Sequence, residues 1–363
     1  MKLQVTQENL HKALTNVSRV ASTRGTLPIL SNVLLKTVDG RLSIAATNLD
    51  IAITQFIGAK VSEDGLITVP ARLMQDFISS LPSGVIDMRL DESKLHIETE
   101  QYQSVINGIS AEDYPVMPDI DNGQTWSVSA TALKTALQQV VLAASGDEAR
   151  PVLTGVYMHV FEGSLYVVAT DSYRLAEKKI TSLKSTVSLL IPAAALQELM
   201  RVVGDSDDDV TVTHDDQQVL FRVGDVELVT RLIEGTYPDY RKLIPEKYSS
   251  LAEIKKSELQ NITKVSSLFA RENAGSVTIN LDESAQAVSI RSVASQVGEN
   301  IASAPAKVTG DGTITLNSRY ILDALHVIGD DTVRFGFNGK LEPSVIKGAK
   351  TDDYNHIVMP LKS

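Results

Sequence analysis

The chain has 363 residues, 43% hydrophobic and 5% aromatic, with no cysteine and a formal net charge of −11 at pH 7. Such a length and apolar share support two or three domains with cores of their own, while the missing thiols exclude disulfides, thiolate metal sites and cysteine nucleophiles. The acidity argues against a protein that coats its whole surface with nucleic acid, but it leaves room for a local basic face.

The amino terminus, MKLQVTQENL, has no basic stretch followed by an apolar one. The longest nearly apolar run, Val187 to Leu196, is interrupted by Ser188 and Pro192, so neither a signal peptide nor a membrane span is expected. A reducing, cytoplasmic setting fits this composition.

The first strand is expected at Lys2 to Val5, followed by a helix capped by Thr6 or Gln7 with Leu10, Leu14, Val17 and Val20 on one face and Arg24-Gly25 closing it. Three strand-like runs come next, Ile29 to Thr37, Arg41 to Thr47 and Ile51 to Ile57, with Asp39-Gly40 as the hairpin signal. After Glu63-Asp64-Gly65 the order restarts: strand Leu66 to Val69, a proline-opened helix Pro70 to Leu81, and strands near Ile86 to Leu90, Lys94 to Glu100 and Gln103 to Ile109. A second segment repeats this order with a strand at Trp126 to Ser129, helices at Ala130 to Ser145 and Pro192 to Val203, and strands up to Glu227 to Leu232. A third segment keeps the order but little of the identity, with helices at Lys256 to Ala270 and Asn317 to Ile328 and a last strand at His356 to Leu361.

The first two segments are a duplication. Shifted by 123 positions, Leu27 to Asn48 falls on Arg150 to Asp171: Pro28 meets Pro151, Leu30 meets Leu153, Gly40 meets Gly163, and Ala46-Thr47 meets Ala169-Thr170. Tyr114-Pro115 and Tyr237-Pro238 keep the same spacing. Each segment divides into two units of strand, helix and three strands, so an α+β architecture of three tandem copies is expected, bounded at 1–121, 122–246 and 247–363.

Charge separates with the helices. The six helical windows hold eleven basic residues (Lys12, Arg19, Arg24, Arg72, Lys134, Arg201, Lys255, Lys256, Lys264, Arg271 and Arg319) against five acidic ones, and the rest of the chain holds 23 against 40. Helices at a repeated position share a face, so an acidic chain acquires one basic surface, suited to phosphate contact without base reading. Ordinary solvated helix faces are the plain alternative. Catalytic signatures are missing: there is no phosphate loop or dinucleotide fingerprint, the six histidines have no metal-ligand spacing, and no cofactor or metal is expected. Asp205, Asp207, Asp208 and Asp209 read as a solvated turn, because Val210 stands where a calcium loop needs glycine. Asp171 and Arg174 read as an ion pair or part of a binding site.

Three copies of about this length, LPIL in the first, ATDSYRLA and YPDYRKLIP in the second and a terminal VMPLKS together resemble the bacterial sliding clamp family over the whole chain. The resemblance implies a DNA-clamp fold, in which two chains form a ring with helices inside and sheets outside, and a non-catalytic processivity factor that encircles duplex DNA. Its partners would be a clamp loader, the replicative polymerase and repair proteins. By resemblance, the partner-peptide groove comprises Leu153, Thr170, Ser172, Tyr173, Arg174, Leu175, Pro238, Lys242, Leu243, Ser344, Ile357, Met359, Pro360 and Leu361. It would take short extended peptides bearing Gln, Leu and an aromatic residue.

Well-known members have Gly-His at Ser172-Tyr173 and often arginine at Lys242 and Lys362. Arg24 matches a family DNA contact, and Arg150 is the one residue carried over from the loop Gly146 to Val152. With the helical cations Lys12, Arg19, Arg72, Lys134, Arg201, Lys256, Lys264 and Arg319, these form the expected DNA-binding set. Ring closure is expected where Gln103 and Ser104 of one chain's edge strand pair near Gln296 and Glu299 of the other, with Ile106 against Leu268 and Phe269. The alternative function is a tandem-domain peptide-binding scaffold that does not bind DNA.

Overall fold

The computed structural model describes the chain apart from residues 22–26, 116–119, 121, 205–207, 272–273, 295–297 and 362–363. Arg24, Gln296 and Lys362, together with Asp205 and Asp207, therefore lie outside the described residues. Among the described residues there are six α-helices: α1 (Gln7–Val17), α2 (Ala71–Ser80), α3 (Ala130–Val140), α4 (Ala193–Val203), α5 (Lys256–Phe269) and α6 (Ser318–Val327). Each buries one stripe. In α1 the inward residues are Leu10, Ala13, Leu14 and Val17, and in α6 they are Ile321, Ala324 and Leu325, the i, i+3, i+4 spacing that a 3.6-residue period demands. The Thr6 hydroxyl caps α1 by accepting from the Asn9 N–H at 3.4 Å, and Asn317 caps α6 by accepting from the Arg319 N–H at 2.9 Å.

Some expected boundaries shift. Helix α1 stops at Val17 rather than near Arg24, because the Ser18 N–H closes on Leu14 and the Val20 N–H then turns back to Val17. Helix α3 ends at Val140 and tightens into a 3₁₀ turn over Val141–Ala143 instead of running to Ser145. Pro28–Ser31 and Pro151–Thr154 are also 3₁₀ turns, not the starts of strands, since proline at the first turn position favours a helical φ and supplies no ladder donor.

The chain forms two compact units, Met1–Thr131 with Gln197–Leu232 and Ala132–Leu196 with Ile233–Ser363. The first unit contains a sheet ordered Lys60–Glu63, Lys2–Thr6, Val85–Asp91, Lys94–Glu98, Gln103–Asn107. It also contains an eight-stranded sheet in which Val226–Arg231 pairs antiparallel with Ile51–Gly58. The second unit contains a nine-stranded sheet in which Arg174–Ser182 pairs antiparallel with Tyr354–Val358, and a sheet ordered Gly298–Pro305, Ala287–Ala294, Ser276–Asp282, Gly312–Asn317. The middle sequence copy thus gives strands to both units. Hydrogen-bonded ladders run across the copy borders, which is why compactness yields two units where the sequence pattern yields three.

The duplication survives in backbone detail. Asp39 and Gly40 have φ of 50° and 74°, and Glu162 and Gly163 have 48° and 70°, the paired left-handed conformation of a tight hairpin. Leu49 and Ser172 share a left-handed φ, at 80° and 77°. In the first copy Asn48 accepts from the N–H groups of Asp50 and Ile51; in the second Asp171 does the same for Tyr173 and Arg174. One turn has been kept, with a neutral cap exchanged for a charged one.

Candidate partner-peptide groove

The second unit carries an apolar cluster at the junction of Arg174–Ser182 and Tyr354–Val358. Val168, Leu175, Leu190, Tyr237, Tyr240, Val345 and Ile357 are buried in it, and Val152, Tyr157, Ile233, Ile244, Tyr248 and Met359 pack half-buried against it. Strand register explains the meeting: Leu175 stands opposite Ile357 and Arg174 opposite Val358, so alternate side chains of both strands face one side. Around this floor Ser172, Tyr173, Pro238, Lys242 and Leu243 are exposed, whereas Pro360 and Leu361 are half-buried. The result is an apolar core cluster bordered by exposed polar and apolar side chains, a surface chemistry suited to an extended peptide.

The turn at its edge is over-determined. The Thr170 hydroxyl donates to the Arg174 carbonyl at 2.6 Å and accepts from the Ser172 N–H, while the Met359 N–H donates to the Tyr173 carbonyl at 2.9 Å. Arg174, only 9% exposed, pairs with Asp171 at 3.1 Å and Asp323 at 2.5 Å and lies over the Tyr320 ring at 4.5 Å. It is therefore a brace inside the wall, with Nε bonded to Asp171 and Nη1 to Asp323, rather than an open anchor. Tyr320 and Asp323 come from α6 and were not anticipated, since Asp323 is one of five acidic residues in the helical windows and nothing in its spacing sets it apart. Ser344 is also internal, donating its hydroxyl to Val358 at 3.0 Å, and Leu153 and Thr170 are buried.

A second unanticipated group lies beneath the wall formed by Tyr237 to Leu243. The Tyr240 hydroxyl donates to Glu177 at 2.7 Å and meets the His159 Nε2 at 2.8 Å. Arg241 pairs with the same Glu177 oxygen at 3.2 Å and sits over Phe161 at 3.8 Å, and the Asn355 amide donates to the other oxygen at 3.2 Å. Burial and the nearby Arg241 charge push His159 down to about 4, so its ring is neutral at physiological pH. The Tyr240 hydroxyl is pushed up by burial and by Glu177. On the rim Lys242 is paired with Asp239 at 2.6 Å, which raises its pKa.

The expected DNA-binding side chains divide. Lys12, Arg19, Arg72, Arg201, Lys264 and Arg319 are exposed, although Arg201 is paired with Glu198 and Arg72 lies 3.9 Å from Asp76. Lys134 is half-buried. Lys256 donates its ammonium to the Ile328 carbonyl at 2.8 Å, where it satisfies an orphan acceptor at the end of α6 instead of facing outward. Arg150 is held by Asp147 at 3.2 Å and by the Ser172 hydroxyl at 3.0 Å, which sets it at the edge of the groove.

Gln103–Asn107 and Gly298–Pro305 each end a sheet, as an edge-to-edge pairing requires. Leu268 and Glu299 are exposed and Ser104 and Phe269 half-buried, but Ile106 points the other way from the expectation. It is 6% exposed, within its own core, while Val105 is 53% exposed, because strand alternation sends neighbours to opposite faces.

Tandem strand, helix and strand units with long antiparallel ladders define a protein of the DNA-clamp class. Family models of the DNA polymerase III beta subunit match its N-terminal domain at residues 1–118, its central domain at 127–239 and its C-terminal domain at 241–362. The beta sliding clamp of Synechococcus elongatus is 30% identical, with 100% of this chain and 99% of that protein covered. That of Staphylococcus aureus is 29% identical, with both chains covered completely. Among solved structures, the sliding clamp of Bacillus subtilis superposes with a TM-score of 0.95 at 27% identity, covering 100% of this chain and 99% of that one. The Pseudomonas aeruginosa beta subunit gives 0.95 at 26% with both chains covered completely, and a clamp from that organism has been solved bound to griselimycin. The chain belongs to the beta-subunit family of DNA polymerase III, the bacterial sliding clamps, and is a non-catalytic polymerase subunit of DNA replication.

Proposed function

We propose that two copies of this chain close into a ring around duplex DNA, and that the groove described above tethers the replicative polymerase, repair proteins and a clamp loader by short peptide segments. The three clamp domains of that ring correspond to residues 1–121, 122–246 and 247–363. The observation that carries the DNA part is the set of exposed cations Lys12, Arg72, Lys264 and Arg319 on the helices, with Arg19 in the turn after α1, on a chain whose net charge is −11. Scattered cations of this kind neutralise backbone phosphates without reading bases, which suits a protein that must slide. Closure pairs the edge strands Gln103–Asn107 and Gly298–Pro305, with Val105 and Leu268 supplying apolar contact.

Reversing Lys12, Arg72 and Lys264 to glutamate together tests this assignment. Loading onto nicked circular DNA by an ATP-driven loader should fall several-fold, and fall further with salt, while peptide binding stays unchanged. Equal loading by wild type and variant sinks the assignment of these helices to DNA.

A further inference from the structure

We infer that the peptide groove continues past Leu361 into a second pocket, which takes the flanking residues of the same extended partner peptide; this rests on the groove reading above. A cavity of about 650 Å³ is lined by Thr278 of the strand Ser276–Asp282, by Thr313 to Thr315 of the strand Gly312–Asn317, and by Lys340, Leu341 and Leu361. Leu361, which the resemblance assigns to the groove and which follows Met359 of the apolar cluster by two residues, lines this pocket, so the two adjoin.

Three features set the chemistry of the occupant. First, Gly312–Asn317 is the edge of its sheet, and the Leu361 N–H already donates to the Thr315 carbonyl at 2.9 Å across that edge. Alternate residues of a strand present their backbone groups to the same side, so Thr313 faces the side on which Leu361 bonds Thr315, where an extended chain can pair. Second, the floor makes no strong polar demand: the Thr278 and Thr315 hydroxyls bond each other at 3.1 Å, and the Thr313 hydroxyl donates to Asn280 at 2.9 Å. Their methyl groups and spare lone pairs remain for a ligand. Third, Leu341 stands 72% exposed on the wall with Lys340 beside it. An extended segment with one apolar side chain for Leu341 and Leu361 and one carboxylate for Lys340 fits all three.

The test compares three fluorescein-labelled peptides by anisotropy: a pentapeptide bearing Gln, Leu and Phe, and the same peptide extended by Thr-Leu-Glu-Thr at either its amino or its carboxyl end. One extended peptide should bind about tenfold tighter than the pentapeptide, the gain expected from one partly buried leucine and one screened ion pair. That gain should vanish in Leu341→Ser and in Lys340→Glu, neither of which should change pentapeptide affinity, since both residues sit outside the groove. No gain from either extension overturns the inference, and so does a gain that persists in both variants. Failure of the pentapeptide itself to bind would instead remove the groove reading, and the extension with it.

Discussion

Replacing Arg174 by alanine should destabilise the second unit before it does anything else. The guanidinium is almost wholly buried, with bonds to Asp171 and Asp323 and the Tyr320 ring beneath it. Removing one partner of a buried ion pair costs about 3–5 kcal/mol, chiefly because the other charge is stranded. The Asp323 side chain is 33% exposed and can recover water, which lowers the figure to about 2–3 kcal/mol, and loss of the ring contact returns about 0.5–1 kcal/mol.

Eight of the ten tyrosines lie in the second unit and the one tryptophan, Trp126, in the first. Urea unfolding followed by near-ultraviolet dichroism of tyrosine should therefore lose about 1 M in midpoint, at a slope of about 3 kcal/mol per molar. The tryptophan signal should move less. Arg174→Lys should recover only part of the loss, because an ammonium cannot bridge two carboxylates and stack on a ring in the same way. An alanine variant whose tyrosine transition stays within about 0.5 kcal/mol of wild type would refute the brace, as would full recovery with lysine.

Met359→Ala should weaken pentapeptide binding by about tenfold while shifting the unfolding midpoint little, since Met359 is half-buried at the groove floor; anisotropy and urea titration on the same samples check this. Acidification should destabilise the second unit between about pH 6.5 and 4. Burial holds His159 at about 4 and His356 at about 3, so in that window the unfolded chain takes up protons that the folded one does not. The loss should be on the order of 2 kcal/mol for each histidine, and His159→Gln should flatten the curve. Gly310→Ala should cost more than about 2 kcal/mol by chemical denaturation, since its φ is +75° and an added Cβ would lie 2.0 Å from the Ser249 carbonyl oxygen. Val105→Asp should shift sedimentation toward the monomer without lowering monomer stability, whereas Ile106→Ala should do the reverse.

Much of the fold was legible because the sequence repeats itself. Pro28 and Pro151, and Gly40 and Gly163, mark the same turns in two copies, Tyr114 and Tyr237 are buried at matching positions, and the helix stripes follow from apolar spacing alone. Helix ends were less legible, because whether Ser18 or Arg24 ends α1 depends on local hydrogen bonds that no spacing records. In the groove, the resemblance supplied the residues, but their roles needed coordinates. Arg174 and Ser344 carry polar groups turned inward, and the partners that turn them, Asp323 and Val358, lie 149 and 14 residues further along the chain on other elements. Lys256 and Ile106 sit differently from the expectation for two different reasons. A lysine stem can fold back onto a free helix carbonyl, and a one-residue choice of face decides which side of an edge strand meets solvent.

The proposed ring holds DNA by enclosing it. Labelled protein loaded by an ATP-driven loader onto a nicked circular duplex, then freed of unbound protein, can be followed as one restriction cut opens the circle. Rapid loss of the label through the new ends, prevented when both ends are blocked by a bound protein, is the result predicted for a ring. Label that stays on the linear DNA with open ends would mean that direct contacts hold the complex, and enclosure would not be its mechanism.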